Sequence, residues 1–497
     1  MSTAVEPGSL GSDSTTDRVG IGIDFGTSNS VAAVFDGQRV TLVDLEDGVG
    51  HPGAPEHDAE IMPSATYIDR ALQTLTGRDA IDQYIDDNTG RKVELIPEVI
   101  GKASLAVGFA GAGSRNPGET LSVDVYGDAM TDTGMRGRLF RGTKRLLGKA
   151  DVRRLMVFDH PFRLVALITP LLLRMRNALA NQVGDMDRAC VGHPVNFEGR
   201  DEHRNKLALT RLGEAYRYAG IARPCPYPEP IAAAVSFLHA NPGAEGERVL
   251  TVDFGGGTLD FCVLERAPGS SFRVVTTHGV ALGGDHIDQR LFRELLFPLL
   301  GKGERWKRRG ERGVIDTAFP FEDYEELLVN WAVTYLLNQN RYTAAVQDCI
   351  LRGGAAGVKF RRLRELIQQN LGYVVFQAIK EFKARLSSSE EAALDIPEID
   401  VYVRLTRSRF EELIADMLGK VEHAVRETLT RARLPVDGVD LVLRTGGSSL
   451  IPAVHRILEG FFPGRVVDHD PFTSVAAGLA IADFHGMPAG PDDGCPR

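Results

Sequence analysis

Two stretches in opposite halves of the chain repeat one pattern: GIGIDFGTSNSV at 20–31 and LTVDFGGGTLDFCVL at 250–264. Each sets an alternating apolar run before Asp-Phe-Gly, then small and hydroxyl residues, then a second apolar run. A pattern of this length in both halves predicts two similar halves facing one cleft. The residues after each turn, VAAVF and FCVLE, are short and partly β-branched, which favours a second strand over a helix. Each repeat is therefore read as a hairpin, unlike the GxxxxGK[ST] loop or the GxGxxG fingerprint, which open helices. Glycine in such a turn allows close backbone approach, so that successive amides aim at one anion. Thr27, Ser28 and Thr258 add hydroxyl donors, and Asp24 and Asp253 stand just before the turns, where they suit a hydrated Mg²⁺ held through water. Either loop taken alone also reads as a structural hairpin with Asp in a turn position.

At 497 residues the chain can hold two or more substantial cores, and its 43% hydrophobic and 25% charged content is that of a globular protein. A net charge of −10 argues against nucleic acid as a partner. Five scattered cysteines without CxxC spacing are expected to be free thiols in a reducing cytoplasm. Residues 1–18 read as a disordered polar tail. The most apolar run, LVALITPLLL at 164–173, is too short for a bilayer, is interrupted by Pro170, and reads as a core helix or a strand–helix junction. No membrane association and a cytoplasmic location are expected.

Further segments carry a resemblance. IGIDFGTSNS at 21–30, MPSATYID at 62–69, FRGTKRLLGK at 140–149, PEPIAAAVSF at 228–237, GVALGGDHIDQRLF at 279–292, TGGSSLIPAV at 445–454 and DPFTSVAAGLAI at 470–481 run in that order along the chain. Together they resemble the DnaK-type, seventy-kilodalton heat-shock protein ATPase domain. VGHPVNFEG at 191–199 resembles the short YegD-like members of that family. The resemblance implies an α/β, actin-like ATPase fold, with two ribonuclease-H-like lobes around a nucleotide cleft that binds ATP or ADP with Mg²⁺.

It also implies roles for individual residues. Gly26, Thr27, Ser28 and Asn29 would form the first phosphate loop and Gly255, Gly256, Gly257 and Thr258 the second, with Gly284 following in the Leu-Gly-Gly segment. Lys144 would stabilise charge at the terminal phosphate, although it also reads as a surface lysine among Arg138, Arg141, Arg145 and Lys149. Glu229 would orient water or metal; otherwise it is a first-turn carboxylate complementing a helix dipole. Asp24, Asp253 and Glu229 form the metal side, and Asp260 is a further position for a monovalent ion such as K⁺. Lys383, Ser387, Gly446, Gly447 and Ser448 would line the nucleoside end. That end departs from the family: Lys380 stands at the glutamate position, Ala384 and Leu450 at two arginine positions, and Phe472 at an aspartate position. A one-residue adjustment would bring Glu381 and Arg385 into play instead.

The expected organisation is a first lobe at 19–242 with an inserted subdomain at about 61–149, and a second lobe at 243–465 with a helical insertion at about 283–405. A segment at 466–486 would return to the first lobe, and 487–497 form a tail. Beyond the usual domain lie a glycine-rich extension at 77–137 and a helical-looking region at 298–377 that includes LLVNWAVTYLL. The basic GKGERWKRRGER within it reads as a solvated turn or an acidic-partner site. Residues 403–432 read as one amphipathic helix capped by Thr406 or Ser408. The chain stops where a peptide-binding domain would follow, so a chaperone-like switch serving an unidentified client or co-chaperone is the leading expectation. A nucleotide-regulated scaffold or filament and a small-metabolite kinase are the alternatives.

Overall fold

Both Asp-Phe-Gly repeats fold as strand–turn–strand units. Gly20–Phe25 pairs antiparallel with Asn29–Phe35, and Arg248–Phe254 pairs antiparallel with Leu259–Ala267. The computed structural model describes residues 18–46, 59–106, 120–195, 197, 202–242, 248–267, 271–310 and 313–488. Both expected tails fall almost entirely outside these residues, as does the centre of the glycine-rich extension.

Each hairpin is the kernel of a larger sheet, and the two sheets share one topology. In the first, Gly20–Phe25 also runs parallel to Arg188–His193, which runs parallel to Arg223–Pro228. Val40–Leu42 extends the antiparallel side. In the second, Arg248–Phe254 runs parallel to Leu441–Thr445, which runs parallel to Val466–Asp468, and Ser271–Val280 extends the antiparallel side. Each central strand is buried on both faces, which suits its near-continuous apolar residues. This pair of like sheets with helices between and around them is the actin-like α/β arrangement expected from the sequence.

The helices Glu229–Ala240 and Ser474–His485 join the sheets through a common core that includes Val31, Phe35, Ala232, Leu264, Leu443 and Leu479. Close approach here depends on glycine. A Cβ on Gly22 would lie 2.3 Å from the Ala476 carbonyl oxygen, and one on Gly478 would lie 1.8 Å from that of Ala232. Asp483 fixes the returning helix by accepting from the Ile21 amide at 3.1 Å and pairing with Arg188 at 2.9 Å.

The LVALITPLLL run lies in one helix, Leu164–Val183, with Pro170 inside it. Four local readings need correction. Residues 403–432 are not one helix. Val401–Thr406 is a strand paired with Glu391–Ile396, and Thr406 then caps a short helix, Arg407–Leu413, by accepting from the Arg409 amide. After Ile414 the chain restarts as Ala415–Ala432. The basic segment is no simple turn: Arg305–Gly310 forms a hairpin with Gly313–Ala318, pairing cationic residues with Asp316 and β-branched neighbours. LLVNWAVTYLL is helical only in part, with Glu322–Leu328 followed by a separate turn of 3₁₀ helix at Thr334–Asn338. Finally, Cys190, Cys262 and Cys349 are free and buried, whereas Cys225 is disulfide-bonded, contrary to the expectation of free thiols throughout. Among the described residues no helix is long and apolar enough to cross a membrane.

Candidate functional site: a cleft between two glycine hairpins

The two hairpin turns meet across a cavity of about 400 Å³. Every residue predicted for the site lines it: Asp24, Gly26, Thr27, Ser28 and Asn29 from the first hairpin, and Asp253, Gly255, Gly256, Gly257 and Thr258 from the second. Lys144, Glu229, Gly284, Lys383, Ser387, Gly446, Gly447 and Ser448 complete the set. A larger groove, about 1220 Å³, runs along the Leu164–Val183 helix. Its main charged groups are already engaged, Arg174 with Glu46 and Arg163 with Glu214, and it gathers no comparable set of loops and carboxylates.

Packing holds the turns in place. A Cβ on Gly26 would lie 2.1 Å from the Asn29 carbonyl oxygen, so the first turn closes only with glycine there. Ser64 donates to the Gly26 carbonyl at 2.8 Å. In the second turn the Gly255 carbonyl accepts from the Gly284 amide and the Ser448 hydroxyl, and the Gly256 carbonyl accepts from the Asp285 amide. Among the described residues, the turn amides of Thr27, Ser28, Gly256 and Gly257 donate to no backbone carbonyl. Amides without a backbone acceptor at the edge of a cavity suit an anion with several oxygens.

Lys144 is in the cleft and is not a surface lysine. It sits on a short 3₁₀ turn, Thr143–Leu146, entered through Gly142 at φ 67°, and donates to Glu229 Oε1 at 2.7 Å. Glu229 is the first residue of its helix, following Pro228. Burial alone would lower the Lys144 pKa, but Glu229, Asp24 and Asp253 raise it above the usual lysine value, so its charge is retained. The carboxylates show the opposite balance. Asp24 is pushed up to about 7 by burial and then by Glu229, against Lys144. Asp253 is likewise pushed up to about 7 by burial and then by Asp260, Glu229 and Asp24. Asp260, which accepts from the Thr258 hydroxyl at 2.7 Å, rises to about 6 chiefly through burial. Several carboxylates around one ammonium leave a surplus of negative charge.

That surplus fits a cation, and the oxygen-only donors suit Mg²⁺. Among the described residues no three His, Cys, Asp or Glu groups converge closely enough to hold a metal directly. The fit is therefore to an ion that keeps its water, with Asp24 and Asp253 as outer partners.

The end expected to take the nucleoside is built differently. Lys383 donates to the Gly284 carbonyl at 3.0 Å and pairs with Asp288 at 2.7 Å. Lys380 and Ala384 line the cavity, whereas Glu381 is engaged with Gln377 and Arg385 donates to the Ala393 carbonyl. The direct register holds, and the one-residue adjustment does not. Leu450 and Phe472 also line this end, with Phe472 against Gly447.

Sequence reading passed over three contributors. Arg145 crosses the cleft to Asp285 at 2.7 Å and packs on the second loop, where a Cβ on Gly257 would meet its Nε at 2.3 Å. Asp288 anchors Lys383. The signals were a second cation directly after Lys144 and two acids three apart just after Gly-Gly.

Comparison with known proteins identifies the family. The Hsp70 protein family matches residues 154–300 and 369–484, just over half of the chain. The chain is 26% identical over 472 residues to heat shock 70 kDa protein BIP3 of Oryza sativa subsp. japonica, covering 93% of this chain and 56% of that protein. It is 24% identical over 477 residues to chaperone protein DnaK of Deinococcus deserti, covering 93% and 58%. The chain thus spans a little over half the length of these curated relatives. Two like sheets, two glycine hairpins facing one cavity and the family match lead to one conclusion: the chain belongs to the Hsp70 family.

Proposed function

We propose that this protein binds ATP with Mg²⁺ and hydrolyses it slowly, and that the change of nucleotide alters the surface it offers a protein client or co-chaperone. The observation that carries the reading is the Lys144–Glu229 pair, held at 2.7 Å between the two glycine turns. The turn amides receive the phosphate oxygens, and positioning of this kind supplies most of what phosphoryl transfer to water requires. Lys144, held charged, stabilises negative charge that develops on the terminal phosphate. Glu229 orients Lys144 and presents an acceptor for a water proton. Asp24 and Asp253 hold Mg²⁺ through water, and the ion neutralises phosphate charge when bound. Asp260 would support a K⁺ ion.

The test is nucleotide binding and steady-state ATP hydrolysis by the purified chain, beside Lys144→Ala. Slow turnover that falls about 100-fold in the variant, with binding kept, supports the reading. A second reading, a nucleotide-regulated scaffold with little hydrolysis, is favoured by Ala384 and Leu450 at the nucleoside end, and tight binding without turnover would select it. A small-metabolite kinase would instead turn over ATP only with an added acceptor.

A further inference from the structure

Arg211 directs its hydrogen bonds at the turn that carries Lys144. It lies on the helix Glu202–Tyr218 and is half-buried. Its Nη1 donates to the carbonyls of Leu147 and Lys149, each at 2.9 Å, and more distantly to that of Leu146 at 3.4 Å. Among the described residues no turn or loop amide donates to the Leu147 or Lys149 carbonyl, so Arg211 satisfies acceptors that the turn itself leaves open. Burial, then the nearby Arg153 and Arg163, hold its pKa below the usual arginine value, against Glu214. Glu214 is itself paired with Arg163 at 2.7 Å. Charge balance therefore does not account for an arginine at this position, whereas the carbonyls do.

Arg211 is connected to Lys144 through Leu147. The Leu147 amide donates to the Lys144 carbonyl at 3.2 Å, and the Leu147 carbonyl accepts from Arg211. The next step of the turn runs from the Lys149 amide to the Leu146 carbonyl at 3.0 Å, and both of these residues also present their carbonyls to Arg211. The Leu147 side chain is fully buried in the first-lobe core, which fixes the depth of the turn. Apolar packing is non-directional, so the orientation of the peptide planes is left to the hydrogen bonds. At the far end of its side chain, Lys144 meets Glu229 Oε1 at 2.7 Å, and Glu229 starts a different helix. We infer, resting on the ATP-hydrolysis reading above, that Arg211 is a positioning residue: it orients the 143–149 turn so that the Lys144 ammonium is held where the terminal phosphate needs it. Misplacement of a working group by about 1 Å can slow a reaction by about a hundredfold.

Single-turnover ATP hydrolysis by the full chain with Mg²⁺, for the wild type, Arg211→Met, Lys144→Ala and the double variant, tests this, beside ADP affinity from calorimetry and urea midpoints. Arg211→Met is expected to slow hydrolysis about tenfold while ADP affinity stays within about threefold, and Arg211→Lys, which keeps a cationic donor, should recover part of the rate. In the Lys144→Ala background the same Arg211→Met change should alter the rate by less than about twofold, because the group it positions is gone. Hydrolysis by Arg211→Met within about twofold of the wild type would overturn the inference while leaving the ATPase reading intact. So would a loss of the same size in both backgrounds, which would make Arg211 a support of the fold and nothing more. Where Arg211→Met does not fold, the cycle is read with Arg211→Lys, whose smaller loss should again be confined to chains that keep Lys144; equal losses with and without Lys144 would overturn the inference there too. Absence of ATP hydrolysis in the wild type would overturn the ATPase reading itself, and this inference with it.

Discussion

The end of the cleft proposed for phosphate and the end proposed for the nucleoside are opposites in construction. At the phosphate end, two copies of one hairpin converge, their turns are closed by glycines, and the central cation has its carboxylate at 2.7 Å. At the end proposed for the nucleoside, Ala384, Leu450, Ile451 and Phe472 line the cavity beside Lys380 and Lys383. The first end is specified by backbone geometry and charge pairing, which tolerate little change. The second is a largely apolar surface flanked by two lysines. In our account the handling of phosphate is kept and the recognition of the rest of the nucleotide has been altered.

Five measurements would break or sharpen that contrast. Lys144→Ala should lower ATP turnover about 100-fold or more while changing nucleotide affinity far less, measured by single-turnover hydrolysis; a small effect would make the phosphate end merely structural. Gly446→Ala should destabilise the protein by about 2–3 kcal/mol in denaturant unfolding. Gly446 sits at φ 78°, and a Cβ there would lie 2.5 Å from Asp253 Oδ1. A neutral result would mean that the Gly-Gly turn does not brace Asp253. Leu450→Arg should tighten binding of an adenine nucleotide by about 0.5–2 kcal/mol, since Leu450 is exposed at the base end and an arginine there can stack on the ring.

Arg145→Ala should speed nucleotide release only a fewfold in stopped-flow measurements. Its pair with Asp285 is about one-third exposed on each side, and such pairs contribute at most about 1 kcal/mol. The smallest effect concerns pH. The folded-state pKa of Lys380 is depressed to about 8 from 10.5, so between these values the unfolded chain binds the more protons. Stability attributable to this residue therefore rises with pH across that window, and Lys380→Met should flatten the rise in melting curves taken from pH 8 upward.

The same contrast explains what could be read in the sequence. The phosphate end was legible because each hairpin writes itself locally: an apolar run, an Asp, glycines at fixed spacing, and a second apolar run. Lys144 and Glu229 were legible through the family's segments, but their pairing across 85 positions was not, because nothing local encodes it. Arg145 and Asp285, 140 positions apart, were missed for the same reason. At the nucleoside end the sequence left two registers for the 372–388 helix open, since both placed plausible polar residues inward. Burial of Phe382 and Leu386 on the core side decides between them and turns Lys380 and Ala384 to the cavity. The 403–432 segment misled because its periodicity continues across Thr406 and Ile414, where a sheet pairing and a change of direction prevail over helical propensity.

The most direct test of the contrast is a set of dissociation constants for ATP, GTP, ADP and adenosine, measured on the wild-type chain with Mg²⁺. Our account predicts that exchanging adenine for guanine changes affinity by less than about tenfold, whereas removing the phosphates weakens binding by more than about a hundredfold. Adenosine bound as tightly as ATP, or a strict requirement for one base, would contradict it.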